Sequence, residues 1–207
     1  YAQAGTPVLN VLEKWNEDSQ KYILTIEQTC PATPGQETKE PFHIPVEIGL
    51  IEEKIVGNTT ENQHFKQKSY TLELRENSNE YEFTEFSEKP TLSFLRGFSA
   101  PVKVTPFHNK KELTFLMKND NDLFNRWEAS FQLSVEVILD VLTAKKQGTT
   151  PSLDQDYIDA FAACLTSEAD LALSAEAITL PSESYLIQLL DIIEPELLFE
   201  SVLFVRK

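Results

Sequence analysis

The feature that most constrains the fold of this chain is a change in the spacing of its apolar residues near Pro106. Before that point apolar and polar residues alternate in short runs, as in residues 44–50, and after it the apolar residues recur every three or four positions. Alternation is typical of strands with one buried face, whereas spacing of three and four is typical of amphipathic helices. The sequence therefore predicts an all-β part, residues 1–106, followed by an all-α part, residues 107–207.

The first part is predicted to form about seven short strands separated by Pro, Gly, Asn and Ser, a pattern typical of an immunoglobulin-like β-sandwich. The predicted strands cover residues 9–15, 22–26, 44–50, 70–74, 81–83, 91–98 and 102–105. One-sided alternation favours antiparallel sheets with one face in water. Pro45 interrupts one of these patterns, so its strand is expected to lie at a sheet edge or to contain a bulge.

The second part is predicted to begin an α-helical superhelix, or solenoid, of short helices. Its most regular apolar stripe is formed by Phe124, Trp127, Phe131, Val135, Ile138 and Leu142. Residues 119–122 supply N-cap candidates for this helix, and Gly148 is its predicted C′ stop.

Three further helix starts are predicted from capping signals. Ser152 with Gln155 and Ser167 with Asp170 match the capping box, in which a hydroxyl group and a side chain three residues later satisfy the first backbone N–H groups. Pro195 is expected at the first position of the last helix, where a missing N–H group costs nothing.

The charge of the chain excludes some classes of partner. Its 18 basic and 33 acidic residues give a formal net charge of −15, which disfavours nucleic acids and anionic membranes as partners. No apolar run approaches the roughly 20 residues that span a bilayer. Cys30 and Cys164 share no motif, so free thiols and a reducing, cytoplasmic location are expected.

Both ends of the chain are expected to be internal to a larger protein. The chain starts without Met or a signal-peptide pattern. Near its end, residues 197–205 form an apolar helix face for which no downstream partner is visible. Such a face predicts self-association of the isolated chain.

No catalytic, cofactor-binding or metal-binding residue is assigned from the sequence. Zinc hydrolases commonly hold their metal with a His-Glu-x-x-His helix. His43, His64 and His108 are not followed by Glu, and no second His lies four residues away. The chain contains only six Gly residues and has no phosphate-binding loop of the Gly-x-Gly-x-x-Gly or Walker A type.

Three other groups of residues were weighed as sites and assigned structural roles. Residues 97–101 resemble a Gly-x-Ser-x-Gly nucleophile elbow, but the strand pattern that follows favours a turn between strands over the required strand-to-helix turn. Glu80, Glu82, Glu85 and Glu88 are expected on a solvated strand face. Arg126 is expected to bind a neighbouring backbone or carboxylate group, and Trp127 is expected to be a core residue.

Three motifs in order, at residues 4–9, 98–104 and 113–129, closely resemble the M1 family of zinc aminopeptidases, in the region that follows the catalytic domain. The resemblance runs through all 207 residues and is weakest at residues 49–88. It implies a β-sandwich domain over residues 1–106 and the start of the family's C-terminal helical domain over residues 107–207.

The resemblance implies that zinc is bound outside this chain, because the family's His-Glu-x-x-His and Gly-x-Met-Glu-Asn motifs are absent here. It also implies that the partners of the chain are the catalytic domain and the remaining C-terminal helices of the same protein, with peptides as substrates of the whole. The predicted role is a non-catalytic structural and substrate-access segment, inactive by itself. The alternative from the residues alone is an autonomous module that binds proteins or peptides at a sheet edge or helical groove.

Overall fold

The protein, described by a computed structural model over residues 3–55, 63–165 and 171–207, divides into two compact units. The first unit is Tyr1–His108 and the second is Asn109–Lys207. Within the described residues, the first unit contains seven strands and the second contains six α-helices. The predicted order of an all-β part followed by an all-α part is confirmed.

The strands of the first unit form two sheets. They are β1 Val8–Asn16, β2 Lys21–Thr29, β3 Ile44–Ile55, β4 Gln63–Leu74, β5 Ser78–Phe83, β6 Thr91–Phe94 and β7 Lys103–Val104. One sheet has the order β5-β2-β1-β7 and the other has the order β4-β3-β6. All pairs are antiparallel except β1 with β7, which is parallel. That exception has a simple cause, since β7 enters its sheet from β6 of the other sheet and no hairpin constrains its direction.

The core of this unit is built from the alternate residues that the sequence pattern placed on one face of each strand. The side chains that form it include Leu9, Val11, Leu24, Ile26, Ile48, Leu50, Leu72, Leu74, Phe86 and Leu92. Trp15 and Tyr70 pack against this cluster from its border. Residues from both sheets meet in the same cluster, which is the packing of a β-sandwich.

Pro45 lies in the central strand of its sheet, so the expectation of an edge strand is wrong for β3 as a whole. β3 pairs with β6 only over Ile48–Ile51, however, so it has a single neighbour, β4, at Pro45. The N–H group of Glu47 points to Ser99 Oγ, at 2.9 Å, and N–H groups two residues apart face the same side of a strand. The missing N–H group of Pro45 therefore faces the side that β6 does not reach, and no ladder bond is lost.

The strand predicted over residues 91–98 ends at Phe94, where the chain enters a short 3₁₀ turn, Arg96–Phe98. Leu95, Gly97 and Phe98 have φ angles of 57°, 59° and 54° in the left-handed region, which ends an extended strand. The turn brings the Arg96 side chain across Gly49 of β3, and its guanidinium donates to Ser69 Oγ at 2.7 Å. A Cβ atom at Gly49 would lie 3.0 Å from the Arg96 side chain, so any larger residue would require that side chain to shift by a few tenths of an ångström.

The second unit is helical throughout its described residues. Its helices are α1 Lys110–Asn119, α2 Leu123–Lys146, α3 Gln155–Leu165, α4 Leu171–Ala177, α5 Glu183–Ile187 and α6 Pro195–Arg206. Sequence reasoning missed α1, although Asn109 and Glu112 form a complete capping box at its start. No helix within these residues is long and apolar enough to cross a membrane.

The ends of α2 match the prediction. The Asp122 side chain accepts the Asn125 N–H group at 2.9 Å, which caps the first turn. At the other end Gly148 has a φ angle of 69°. The N–H groups of Gly148 and Thr149 bond to the carbonyl oxygens of Lys145 and Ala144, which is the Schellman pattern.

The predicted capping box of Ser152 and Gln155 is wrong. The Gln155 amide donates to Asp159 at 2.8 Å instead, and Asp154 caps α3 by accepting the Asp156 N–H group at 3.0 Å. Asp154 directly precedes the helix and can accept an N–H group of the first turn, whereas Ser152 lies two residues too early. The predicted capping box of Ser167 and Asp170 lies outside the described residues. Ser182 caps α5, and Pro195 opens α6 as predicted.

Part of the apolar face of α6 is covered from within the unit, whereas the sequence predicted a face without a visible partner. Leu198 and Val202 pack with Ile138 and Leu142 of α2 in one buried cluster. The side chain of Phe199 remains 51% exposed on the other side of the helix. Self-association of the isolated chain stays a prediction. The apolar surface that could mediate it is smaller than the sequence indicates, because Leu198 and Val202 are buried.

Candidate functional site

The described histidine side chains take part in local contacts of the sandwich. His43 Nε2 lies 3.5 Å from a carboxylate oxygen of Glu73, on the surface. His108 Nε2 lies 2.7 Å from the Leu92 carbonyl oxygen, and its ring stacks against Phe107 at 3.9 Å between centroids. The side chain of His64 lies outside the described part. Within the described residues, no three His, Cys, Asp or Glu side chains are grouped so as to hold a metal ion.

Ser99 is a structural residue of the turn between β6 and β7. Its Oγ atom accepts the N–H group of Glu47, which ties the turn to β3. The residues that follow enter β7 rather than a helix, so the strand-to-helix geometry of a nucleophile elbow is absent here. The interpretation of residues 97–101 as a strand-to-strand turn is supported by this geometry.

Arg126 binds the backbone, as expected. Its Nε atom donates to the Met117 carbonyl oxygen at 3.2 Å, and its guanidinium lies 4.0 Å from the sulfur of Cys164. These contacts join the end of α1 to α2 and α3.

Trp127 is half-buried rather than a core residue. It belongs to an aromatic row, Phe124, Trp127, Phe131 and Tyr185, with successive ring centroids 5.5, 5.8 and 4.9 Å apart. The last contact ties α5 to α2. Such a row is a packing element that leaves one edge in water.

The four glutamates considered as a carboxylate site serve different purposes. Glu80 is exposed on β5, and Glu82 forms an ion pair with Lys21 at 2.8 Å. Glu85 and Glu88 follow the strand instead of lying in it, so the expectation of a strand face is wrong for these two. Glu85 pairs with Lys68 and with the Tyr70 hydroxyl group. Burial raises the pKa of that tyrosine. These contacts hold the segment after β5 against β4.

Glu52 is a buried carboxylate that the sequence reading did not single out, and it anchors the same segment. Its side chain is fully buried at the end of β3. Oε1 accepts hydrogen bonds from the Ser87 N–H group, from Ser87 Oγ at 2.7 Å and from the Glu88 N–H group at 2.8 Å. Lys66 Nζ lies 4.0 Å from Oε2. Charge-assisted bonds to two backbone donors indicate a structural role for this carboxylate.

The helical unit contains a concave site between α1, α2 and the start of α3, which we call the α1–α3 groove. Its volume is about 330 Å³. It is lined by Lys110, Lys111, Thr114, Leu133, Val137, Asp140, Ser152, Leu153, Asp154, Asp156 and Tyr157. Lys110 and Asp140 form an ion pair across it. Burial raises the pKa of the Tyr157 hydroxyl group. The hydrogen bond between this group and Ser134 Oγ, at 3.2 Å, opposes part of that increase.

A second groove lies between α3, the segment after α4 and α6. Its volume is about 420 Å³, and its lining is apolar except for Thr179 and Arg206. Leu165 at its border is 68% exposed. Among the lining residues that the structure describes, no hydroxyl group is hydrogen-bonded to a basic side chain, the pairing that acyl transfer would need.

Comparison with protein families matches both units. Residues 5–106 match a domain of unknown function, DUF3458, described as an Ig-like fold. Residues 110–207 match a second domain of unknown function, DUF3458_C, described as ARM repeats. The two matches follow the strand and helix content of the two units.

Comparison with individual proteins gives consistent relatives. The chain is 36% identical to aminopeptidase N of Escherichia coli strain K12 over 202 residues, which are 94% of this chain and 22% of the relative. It is 28% identical to aminopeptidase N of Haemophilus influenzae over 198 residues, 95% of this chain and 23% of the relative. The chain thus spans less than a quarter of the length of these relatives.

A solved structure supports the same relationship. The crystal structure of Legionella pneumophila aminopeptidase A in complex with aspartic acid matches 98% of this chain and 22% of its own, with a TM-score of 0.71 and 28% sequence identity. The chain is therefore a homologue of the non-catalytic C-terminal region of aminopeptidase N, with the DUF3458 Ig-like domain and the DUF3458_C ARM-repeat domain that are C-terminal domains of M1 aminopeptidases.

Proposed function

We propose that this chain is a structural and substrate-access segment of a zinc aminopeptidase that removes N-terminal residues from peptides. The observation that carries the proposal is the extent of the homology. It covers 94% of this chain but only 22% of the Escherichia coli aminopeptidase N, and it includes both units. In such a relative, catalysis would be carried out by the part of the protein that lies outside the region matched by this chain.

The sandwich unit has the properties of a rigid spacer. Its two sheets share one continuous core, and the loop after β5 is fixed to β3 and β4 by Glu52, Lys66 and Tyr70. Interdigitated packing and a buried carboxylate whose Oε1 atom accepts three hydrogen bonds resist deformation. Such a unit can hold neighbouring parts of an enzyme at a constant separation.

The helical unit would supply the substrate-access function. Stacked helical repeats form curved walls with concave surfaces, and the ARM-repeat match identifies this unit as such an array. A wall of this kind beside a peptidase cleft admits short or unfolded chains and excludes folded ones. In this proposal the partners of the chain are the catalytic domain and the further helices of the same protein.

Zinc would be held outside this chain. The His43 and His108 rings contact a surface carboxylate and a backbone carbonyl group, and the described residues do not fit a metal site. A cytoplasmic location is proposed on the support of two free thiols, Cys30 and Cys164.

The access role is tested on the protein encoded by the whole reading frame that contains this chain. Its zinc-dependent cleavage of an N-terminal alanine is measured on a tripeptide, on a long unfolded peptide and on a folded protein that ends in the same residues. We expect the first two to be cleaved and the folded protein to be refused, until the folded protein is denatured by reduction. Equal cleavage of the folded and unfolded forms would contradict the access role.

A further inference from the structure

The α1–α3 groove has an apolar floor. Leu133 and Val137 of α2 are almost fully buried beneath it, and the Tyr157 side chain is 5% exposed. Because the Tyr157 hydroxyl group already pairs with Ser134, its ring contributes mainly apolar surface to the groove. A ligand with an apolar side chain would therefore lose water from both surfaces on binding.

The rim of the groove carries charges of both signs. One of its carboxylates, Asp154, also caps α3 by accepting the Asp156 N–H group. Lys110 and Asp140 neutralise each other's charge by forming an ion pair. Lys111 and Asp156, both exposed, make no hydrogen bond or ion pair through their charged groups with any residue that the structure describes. A cationic or anionic ligand would pair with one of them only, whereas a zwitterion can pair with both.

The size of the groove sets the size of the ligand. Its volume of about 330 Å³ lies near the lower end of the roughly 300–1,000 Å³ found for small-molecule sites. A groove of this size can hold a single amino acid or a dipeptide, and a longer peptide would extend into solvent.

From these features we propose that the α1–α3 groove binds a small zwitterion with an apolar side chain, of the class of free amino acids and dipeptides. Lys111 pairs with the ligand carboxylate, and Asp156 pairs with the ligand ammonium group. Leu133, Val137 and the Tyr157 ring contact the apolar side chain. The proposal depends on the groove alone and does not require that the larger protein be an aminopeptidase.

The test is calorimetric titration of the 207-residue chain with leucine and, separately, with alanyl-leucine, which distinguishes an amino acid from a dipeptide as ligand. We expect at least one of them to bind with a Kd of about 1 mM or tighter. N-acetyl-leucinamide, which has the same side chain and no charge, is expected to bind at least about fivefold more weakly. Each fivefold change corresponds to about 1 kcal/mol.

Two variants assign the charges. Lys111→Met and Asp156→Asn are each expected to weaken binding at least about fivefold, the size of one charge pair, while the control Lys118→Met on the same helix is expected to leave it unchanged. Far-UV circular dichroism checks that each variant folds. Absence of binding by both ligands at about 10 mM would overturn the proposal. Equal binding by N-acetyl-leucinamide, or by the two charge variants, would also overturn it.

Discussion

Replacing the buried Glu52 tests whether this carboxylate fixes the segment after β5 to the sandwich. Its Oε1 atom accepts from two backbone N–H groups and one hydroxyl group, at Ser87 and Glu88, and its side chain is fully buried. Glu52→Ala removes the acceptor from all three donors at once. It also leaves Lys66, 4.0 Å from Oε2, without this negative charge.

The expected cost follows from these contacts. A donor that loses its acceptor in a part-buried position costs about 1–3 kcal/mol, and Glu52→Ala removes the acceptor from three donors. Water entering the new cavity would satisfy some of the donors, so we expect Glu52→Ala to lower the free energy of unfolding by about 3–5 kcal/mol. Glu52→Gln keeps an acceptor oxygen and loses only the charge, so about 1–2 kcal/mol is expected.

Urea unfolding followed by tryptophan fluorescence measures this cost for the sandwich alone. The chain has two Trp residues, Trp15 in the sandwich and Trp127 in the helical unit, so a Trp127→Phe background makes the emission report the first unit only. Glu80→Ala on exposed β5 is the matched control and should change the free energy by less than about 0.5 kcal/mol.

The reasoning would be refuted if Glu52→Ala unfolded at the same urea concentration as the Glu80→Ala control. It would also be refuted if Glu52→Gln were as unstable as Glu52→Ala, because the hydrogen bonds would then contribute nothing beyond the charge.

Three further substitutions test other contacts by urea unfolding. The Gly49 variant uses the same Trp127→Phe background, and the two variants in the helical unit use a Trp15→Phe background, whose emission reports that unit. Gly49→Ala places a Cβ atom 3.0 Å from the Arg96 side chain, so a loss of about 1–3 kcal/mol is expected from overpacking. Gly148→Ala places a side chain at a φ angle of 69°, so a loss of about 1 kcal/mol is expected from the helical unit. The third substitution is at Glu136 of α2. Burial raises the pKa of its carboxyl group, with the charge of Lys110 opposing the increase and the charge of Asp140 adding to it. A raised pKa means that the folded state binds the proton more tightly and that stability falls as pH rises from the unfolded to the folded pKa. Glu136→Gln is therefore expected to stabilise slightly at pH 7, by less than about 0.5 kcal/mol, and not at acidic pH.

Each of these has an outcome that contradicts it. For Gly49, the destabilisation by Gly49→Ala should be smaller in an Arg96→Ala background, where the clashing side chain is absent. If the losses of stability in the two single variants simply add up in the double variant, there is no clash between these residues. For Gly148, an unchanged urea midpoint in Gly148→Ala would show that alanine adopts the left-handed conformation at this position without cost. For Glu136, a larger benefit of Glu136→Gln at pH 4 than at pH 7 would reverse the assigned sign.

The division of the chain into strands and helices could be predicted because it follows from apolar spacing. The alternation along residues 44–50 and the helical spacing from Phe124 to Leu142 reflect only which face of each element is buried. Both patterns are therefore readable from neighbouring residues alone. Caps that use adjacent residues could also be predicted, as Gly148 and Pro195 show. The family resemblance adds the domain order to this local information.

Features that depend on distant residues could not be predicted. Glu52 continues the inward-facing series of Ile48 and Leu50, so its burial had a signal in the alternation, but its partners Ser87 and Glu88 are 35 and 36 residues away. The parallel pairing of β7 depends on which sheet the chain enters after its 3₁₀ turn. Two left-handed non-glycine residues in that turn, Leu95 and Phe98, gave no warning in a pattern that resembles a strand.

Features of the candidate site follow the same division. The absence of the family's zinc motif is visible in the sequence because the motif is local. The α1–α3 groove combines residues from three helices that are up to 47 positions apart, Lys110 to Tyr157, and one of those helices was missed. Alternation and capping signals carry no information on which helices lie side by side.

The most direct test of the central claim is the zinc-dependent release of alanine from an alanyl peptide. It is measured in parallel for the purified 207-residue chain and for the protein encoded by the whole reading frame that contains it. We predict that the whole protein releases alanine, that a chelator stops it and zinc restores it, and that the 207-residue chain releases none with or without zinc. Zinc-dependent release by the 207-residue chain alone would contradict the assignment of a non-catalytic segment.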